Sequence, residues 1–480
     1  MAPFAADLLL ALAGLGILVG CGLVPRRLNA VIPALGLCYL AGASVVPVVL
    51  IALLVIGIPF TLVTFFLVAC ACIVAGAVGP SGRPAERFTW SPEAWVIVAF
   101  VAIFGAFAIV GLLSALEMPL KEWDSWAIWG RKAQMLTAHN SLTSGFFASP
   151  SYYFMHADYP LQYPVWEAIH FRAAGGFDAQ AVLRHVWLFL VAFVWAVAYL
   201  LRTQVRPLVW APLLILAAAA PGFWQQLLSG NADVPLAIFV AMGAISLALW
   251  LGEGDGRPLA LAAVMLAGAA NLKNEGLMAT VCLLAVAGAI GLPRGLRRKP
   301  FFFASLAVVL AALPWRIWTA AEGIEGDLPV SRGITDPAYL LGRTDRIWPS
   351  VQATVRELGN QSLWLYILPL AILVLTAALV SGRGRRAAAF YLGSIVLVWA
   401  GLIWSYWISP HPIEWHLATS VSRVVSLVLF IGIAALVHVS GILVSELDRG
   451  RRSGSTDAGH GLNDRSGSSD VALDEAAELA

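Results

Sequence analysis

The sequence predicts an all-α polytopic membrane protein with about thirteen transmembrane helices. Three observations lead there. The 480 residues are 60% hydrophobic and only 12% charged, more apolar surface than a soluble core can hide. The apolar residues come in runs close to the roughly 20 residues that carry a helix across about 30 Å of hydrocarbon. Short arginine-rich segments fall at alternate breaks between those runs.

The runs are 5–24, 31–56, 59–79, 93–116, 184–202, 208–221, 232–251, 258–270, 276–292, 300–319, 363–380, 388–408 and 421–445. Runs 208–221 and 258–270 are short for a span. MAPFAADLLL has no basic n-region and carries Asp7, so the first run reads as a retained helix entering from outside, not a cleaved signal. Alternation then gives the cytoplasmic side Arg26/Arg27, Arg83/Arg87, Arg202/Arg206, Arg257, Arg294/Arg297/Arg298/Lys299, Arg383/Arg385/Arg386 and Arg449/Arg451/Arg452. Every short basic cluster lands there, as the positive-inside rule requires. The other side receives the long loops 117–183 and 320–362 and the short connections 222–231, 271–275 and 409–420. Nearly all unusual polar residues lie in these segments, so any chemistry is expected on the extracytoplasmic face of the cell membrane. The Gly-, Ser- and Asp-rich residues 446–480 predict a disordered cytoplasmic tail.

A net charge of +2 gives no electrostatic case for nucleic acid. The five cysteines sit in apolar runs, away from histidines, and read as small buried hydrophobes. No phosphate loop, dinucleotide fingerprint, HExxH or GxSxG occurs. The histidines lack tight metal spacing, so a divalent metal is possible only if distant loops assemble its site.

Five polar patches remain. KEWDSWAIWGRKAQML at 121–136 carries Trp123, Trp126 and Trp129 at every third position. It reads as an amphipathic interfacial helix, with Glu122, Arg131 and Lys132 as solvated charges. Asp124 fits that picture less well, since desolvating an acid between tryptophans is costly; a helix N-cap is the alternative. HADYPLQYPVWEA at 156–168 holds His156 and Asp158 ahead of Pro160 and Pro164, and also reads as a loop turning into an interfacial helix. SGNADVP at 229–235 puts Asp233 at the mouth of a span, as N-cap or first-turn acid. NLKNEG at 271–276 places Lys273 and Glu275 in a very short connection, as a functional site or a structural ion pair. HPIEWHLATSVSR at 411–423 spaces His416, Ser420 and Arg423 on one helical face. Arg316, in LPWRIW at an outer span end, is an inward cation or a snorkelling one.

Together these patches resemble the integral-membrane glycosyltransferases of the GT-C class. They look closest to family 39-like enzymes, the protein O-mannosyltransferases and aminoarabinose-lipid A transferases. The resemblance rests on an acid in the first external loop, D-x-P-L-x-x-P, N-A-D-x-P and K-N-E-G, and covers about 93–320. It implies a GT-C-like seven-helix catalytic module at 93–320, with interfacial helices in loop 117–183. Residues 1–92 precede it as a three-helix membrane segment, and 321–445 follow as an external lid loop and three membrane helices. The resemblance makes Asp124 the general base and Asp158 the second-element acid. The sequence departs from the pattern twice: Ser125, not a second acid, follows Asp124, and Tyr159 stands where some members carry a phosphate-binding lysine. Lys273, Arg423 and Arg316 are the candidates for that phosphate contact. Glu122, Arg131, His156, Asp233, Glu275 and His416 are the supporting set.

The resemblance further implies a polyprenyl-phosphate-linked sugar as donor and a glycan, lipid or protein hydroxyl as acceptor. The donor head is expected in a pocket under loop 320–362, whose Tyr339, Arg343, Asp345, Arg346 and Trp348 suggest a lid. The rival readings are a transporter or lipid flippase, which needs polar residues mid-span, and a protein that keeps the fold without activity.

Overall fold

A computed structural model describes residues 3–25, 31–78, 93–142, 144–147, 149–294 and 298–463. Arg26, Arg27, Arg83, Arg87, Arg297 and the tail 464–480 lie outside them. The described residues are helical, with no strand. The main helices are α1 (Pro3–Gly20), α2 (Leu35–Val55), α3 (Leu62–Val78), α4 (Ala94–Glu117), α5 (Arg131–His139), α6 (Gln162–Ala174), α7 (Ala179–Leu201), α8 (Pro207–Ala219), α9 (Pro221–Ser229) and α10 (Asp233–Glu253). There follow α11 (Arg257–Ala270), α12 (Asn274–Gly291), α13 (Arg298–Ala321), α14 (Ile347–Leu358), α15 (Ile367–Ser381), α16 (Arg385–Ile408), α17 (Ile413–Val424) and α18 (Ser426–Asn463).

Among the described residues, eight helical stretches are long and apolar enough to cross a bilayer. The other five apolar runs correspond to four shorter apolar helices (α1, α3, α11 and α15) and to the pair α8–α9. α8 matches the run 208–221; Pro221 then holds Ala220 extended, the chain bends by 56°, and α9 occupies most of the expected connection 222–231. α18 continues through 446–463, and the rest of the predicted tail lies outside the described residues.

α10 is apolar all round and buried along nearly its whole length, so it forms the axis of the bundle. It packs on α7, α11, α12, α16 and α18. By contrast, α4 and α13 turn Trp95, Val101, Ile109, Phe302, Val309 and Ile317 outward. An apolar exterior of this kind fits lipid rather than water. α1 joins the bundle through close backbone contacts. A Cβ on Gly14 would stand 1.7 Å from the Cys38 carbonyl of α2, and one on Gly42 1.8 Å from the Leu10 carbonyl of α1. Small residues permit such an approach, which supplies dispersion where lipid gives no hydrophobic drive.

The segments that alternation puts on one side also meet. At one end, Arg206 pairs with Glu93 and with Asp448, at 3.2 Å. The other end carries the candidate site.

Candidate functional site

All five polar patches converge on the N-terminus of α10. Gly230 adopts φ +65°, and a Cβ there would stand 2.5 Å from Leu120. This tight turn delivers Asp233 to the first turn of the buried axis helix, where the helix dipole favours an acid. The α11–α12 turn is equally tight, because a Cβ on Gly276 would stand 2.0 Å from the Ala269 carbonyl. That turn points Lys273 back at Asp233, and Nζ donates to Oδ1 at 2.8 Å. Glu275 Oε1 is 3.8 Å from the same amine, so the lysine's main partner is Asp233 and not its near neighbour in sequence.

From the far end of the chain, α17 brings Arg423. Its Nη1 donates to Asp124 Oδ2 at 2.5 Å and lies 3.8 Å from Asp233 Oδ2. Asp124 is therefore not a cap: it opens a π-helical stretch, Asp124–Gly130, without a capping hydrogen bond. The wider turn also spreads the tryptophans, correcting their shared-face reading. Trp123 and Trp126 are exposed, whereas Trp129 is buried and stacks on Tyr159 at 5.8 Å.

Tyr159, at the departure from the family pattern, is central. Its hydroxyl donates to Glu275 at 3.4 Å, and both Lys273 and Lys132 approach its ring within 6 Å, at 5.8 and 5.9 Å. Lys132 corrects another reading. Instead of a solvated charge it is fully buried, donating to the carbonyls of His156 at 2.6 Å and Tyr159 at 3.3 Å. Burial lowers its pKa to about 7, with the charge of Asp158 acting the other way. Asp158 accepts from Asn274 at 2.6 Å, and its backbone carbonyl accepts from Trp315 at 2.9 Å. Burial raises the Asp158 pKa, against the Asn274 bond and Lys132. Lys273 goes up: burial opposes its charge, but Asp233 and Glu275 outweigh it.

The chain of charges thus runs Asp124, Arg423, Asp233, Lys273, Glu275, three carboxylates to two cations. Around it lie buried polar atoms with no hydrogen-bond partner: Asn231 Oδ1 and Nδ2, Asp233 Oδ2, Glu275 Oε2, Asn274 Oδ1 and Arg316 Nε. Arg316 is close enough to Asp158 for their charges to interact. Such atoms are rare in folded interiors and call for a partner such as water, an ion or a polar ligand.

Other members of the predicted set lie apart. Glu122 is exposed, and its backbone carbonyl accepts from Ser125 at 2.5 Å. Arg131 lines a groove of about 670 Å³ with Trp123, Trp126, Phe154 and Phe177. This groove is bounded by the first loop, not by 320–362, where the pocket was expected. His156 is 2.7 Å from Asp327, which also lies 3.8 Å from His411. His416 packs edge-on against Tyr406 and His411, while Ser420 bonds Tyr406 at 2.9 Å. Loop 320–362 is tied down rather than free. Tyr339 donates to Ile408 O at 2.7 Å, Arg346 to Tyr406 O at 3.1 Å and His411 O at 2.6 Å, and Arg343 to Ser409 O. Trp348 is exposed.

Sequence reasoning missed Lys132, Asn231, Asn274 and Asp327. Lys132 carried a usable signal: it falls within the stripe formed by Trp129, Ala133 and Leu136, all buried. Asp327 carried none. Among the described residues, the close trio of metal-capable side chains is Asp7, His170 and His185, outside this chain of charges. Comparison with protein-family models, with curated proteins and with solved structures gives no match.

Proposed function

We propose that the chain is an integral-membrane glycosyltransferase of GT-C type with about thirteen spans. Its N-terminus and site are extracytoplasmic and its C-terminus cytoplasmic. It moves a sugar from a polyprenyl phosphate to an acceptor hydroxyl. The observation that carries this reading is the convergence of five sequence-remote polar patches into one partly buried chain of charges, ringed by unpartnered polar atoms.

In this reading the acceptor oxygen attacks the anomeric carbon as the carbon–oxygen bond to the lipid phosphate breaks. Asp124 takes the acceptor proton, and the phosphate leaves as an anion, so no general acid is needed. One displacement inverts the anomeric centre. Asp124 and Arg423 are paired before substrate arrives, so the incoming phosphate competes for Arg423 and releases the carboxylate. The charge chain is already one negative charge in excess, so the phosphate needs more cation than Arg423 and Lys273 supply. Arg316, with its unpartnered Nε, provides it. The prenyl tail lies along the apolar groove beside Trp123 and Trp126. Asn231 and Asp233 face the sugar hydroxyls.

The test compares lipid-linked sugars and envelope glycans from wild-type cells, a deletion strain and Asp124→Asn at equal expression. Accumulation of a lipid-linked sugar with loss of that sugar from a glycan supports the transferase. Changed glycans on deletion with a normal Asp124→Asn strain rule out the catalytic assignment.

A further inference from the structure

Four polar side chains meet among α1, α2, α6 and α7, a place that glycosyl transfer does not use. Asp7, His170 and His185 are buried, with one ligand atom each and all three atoms within 4.8 Å of one another. Asp7 Oδ1 is 2.9 Å from His170 Nε2 and 3.7 Å from His185 Nδ1. Tyr39, also buried, places its hydroxyl 3.0 Å from His185 Nδ1. Ligand atoms at zinc's usual bond lengths stand about 3.3 Å apart around a tetrahedron. The three separations, 2.9, 3.0 and 3.7 Å, straddle that value.

The hydrogen bonding of His170 points the same way. Nδ1 is 2.8 Å from the Trp166 carbonyl, and Nε2 faces the Asp7 carboxylate. A carbonyl only accepts, and so does an ionised carboxylate, so Nδ1 carries its proton toward Trp166 and Nε2 is the nitrogen left to face Asp7 and an ion. A carbonyl on the far nitrogen is the usual second partner of a metal-binding histidine.

We propose that Asp7, Tyr39, His170 and His185 form a closed structural site for a divalent ion of the zinc class, pinning α1 and α2 to α6 and α7. Two imidazoles and two oxygens suit such an ion, and four protein ligands leave no open position for catalysis. The Asp7 carboxylate and the Tyr39 phenolate, whose proton is released to solvent, would offset the ion's double charge.

The test uses the full chain in detergent, with a purification tag free of histidine and no chelator. Zinc or cobalt(II) is added, excess is removed by gel filtration, and the metal is counted. The expected result is about one ion per chain, with the intense visible absorption of tetrahedral cobalt. His170→Ala and His185→Ala should each cut retention by about tenfold or more. A folded wild type that retains no ion overturns the proposal, as does retention unchanged in both variants. If the histidine variants fail to fold, Tyr39→Phe decides: a shifted cobalt spectrum supports the four-ligand site, and an unchanged one overturns it.

Discussion

Replacing Asp124 by Asn separates the role of its charge from its role in the fold. The substitution keeps the shape and removes the charge facing Arg423. The Asp124 side chain is 28% exposed, so solvent screens the pair, and its loss costs about 1 kcal/mol of stability. Arg423 is not stranded, because Asp233 Oδ2 lies 3.8 Å away. Loss of a general base costs far more in rate, about 10²–10⁴-fold, equivalent to roughly 3–5 kcal/mol of barrier. The substitution should therefore leave melting and expression near wild type while transfer falls by orders of magnitude. The assay is single-turnover transfer from a purified lipid-linked sugar pool by protein in detergent, with a melting curve on the same sample. Intact transfer by a folded Asp124→Asn protein refutes the general-base assignment. A collapse of melting by several kcal/mol refutes the view that this carboxylate is only weakly structural.

Asp233→Asn should behave the opposite way: Arg423 keeps Asp124, but the buried Lys273 loses its 2.8 Å partner and keeps only Glu275 at 3.8 Å, a cost of about 3–5 kcal/mol read as a lowered melting temperature and poor expression. Lys132 gives a pH signature. Its folded pKa of about 7 lies below the ordinary lysine value of 10.5, so between those pH values the unfolded chain binds the extra proton and stability rises with pH. Lys132→Met should remove that rise, worth on the order of 5 kcal/mol, in melting curves from pH 6 to pH 10; an unchanged pH slope would mean another group carries it. Asp327 is held below its ordinary pKa, since His156, His411 and His416 outweigh the effect of burial. Its stabilising effect is present above the ordinary carboxylate value and is lost as pH falls through the lower folded one. Hydrogen exchange across 322–346 should accelerate in that acid window in wild type and already be fast in Asp327→Asn. Gly42→Leu should split α1 from α2, because a Cβ at Gly42 would already stand 1.8 Å from the Leu10 carbonyl; a cysteine crosslink between the helices, lost in the variant, reads it out.

Hydropathy alone located the helices well, because crossing a bilayer imposes a length and an apolar composition that a local window can sum. It did not foresee α9, because the bend at Ala220 depends on one proline and not on hydropathy. Of the segments that alternation puts on one side, Arg206 and Asp448 do meet, at 3.2 Å. The Trp123, Trp126, Trp129 repeat misled because its face depended on a helix type, and the widened turn after Asp124 sent Trp129 inward.

The sequence by itself determined the all-helical apolar architecture and the five patches worth watching. Only the tertiary structure decided their partners. Arg423 and Asp124 are 299 residues apart, and Lys273 and Asp233 are 40. Nothing in a local window distinguishes an acid that meets such a cation from one that meets water. The same holds for Lys132 and Asp7, ordinary charges in sequence that become costly when buried. Their environment is set by which helices pack together, and packing is a property of the whole chain.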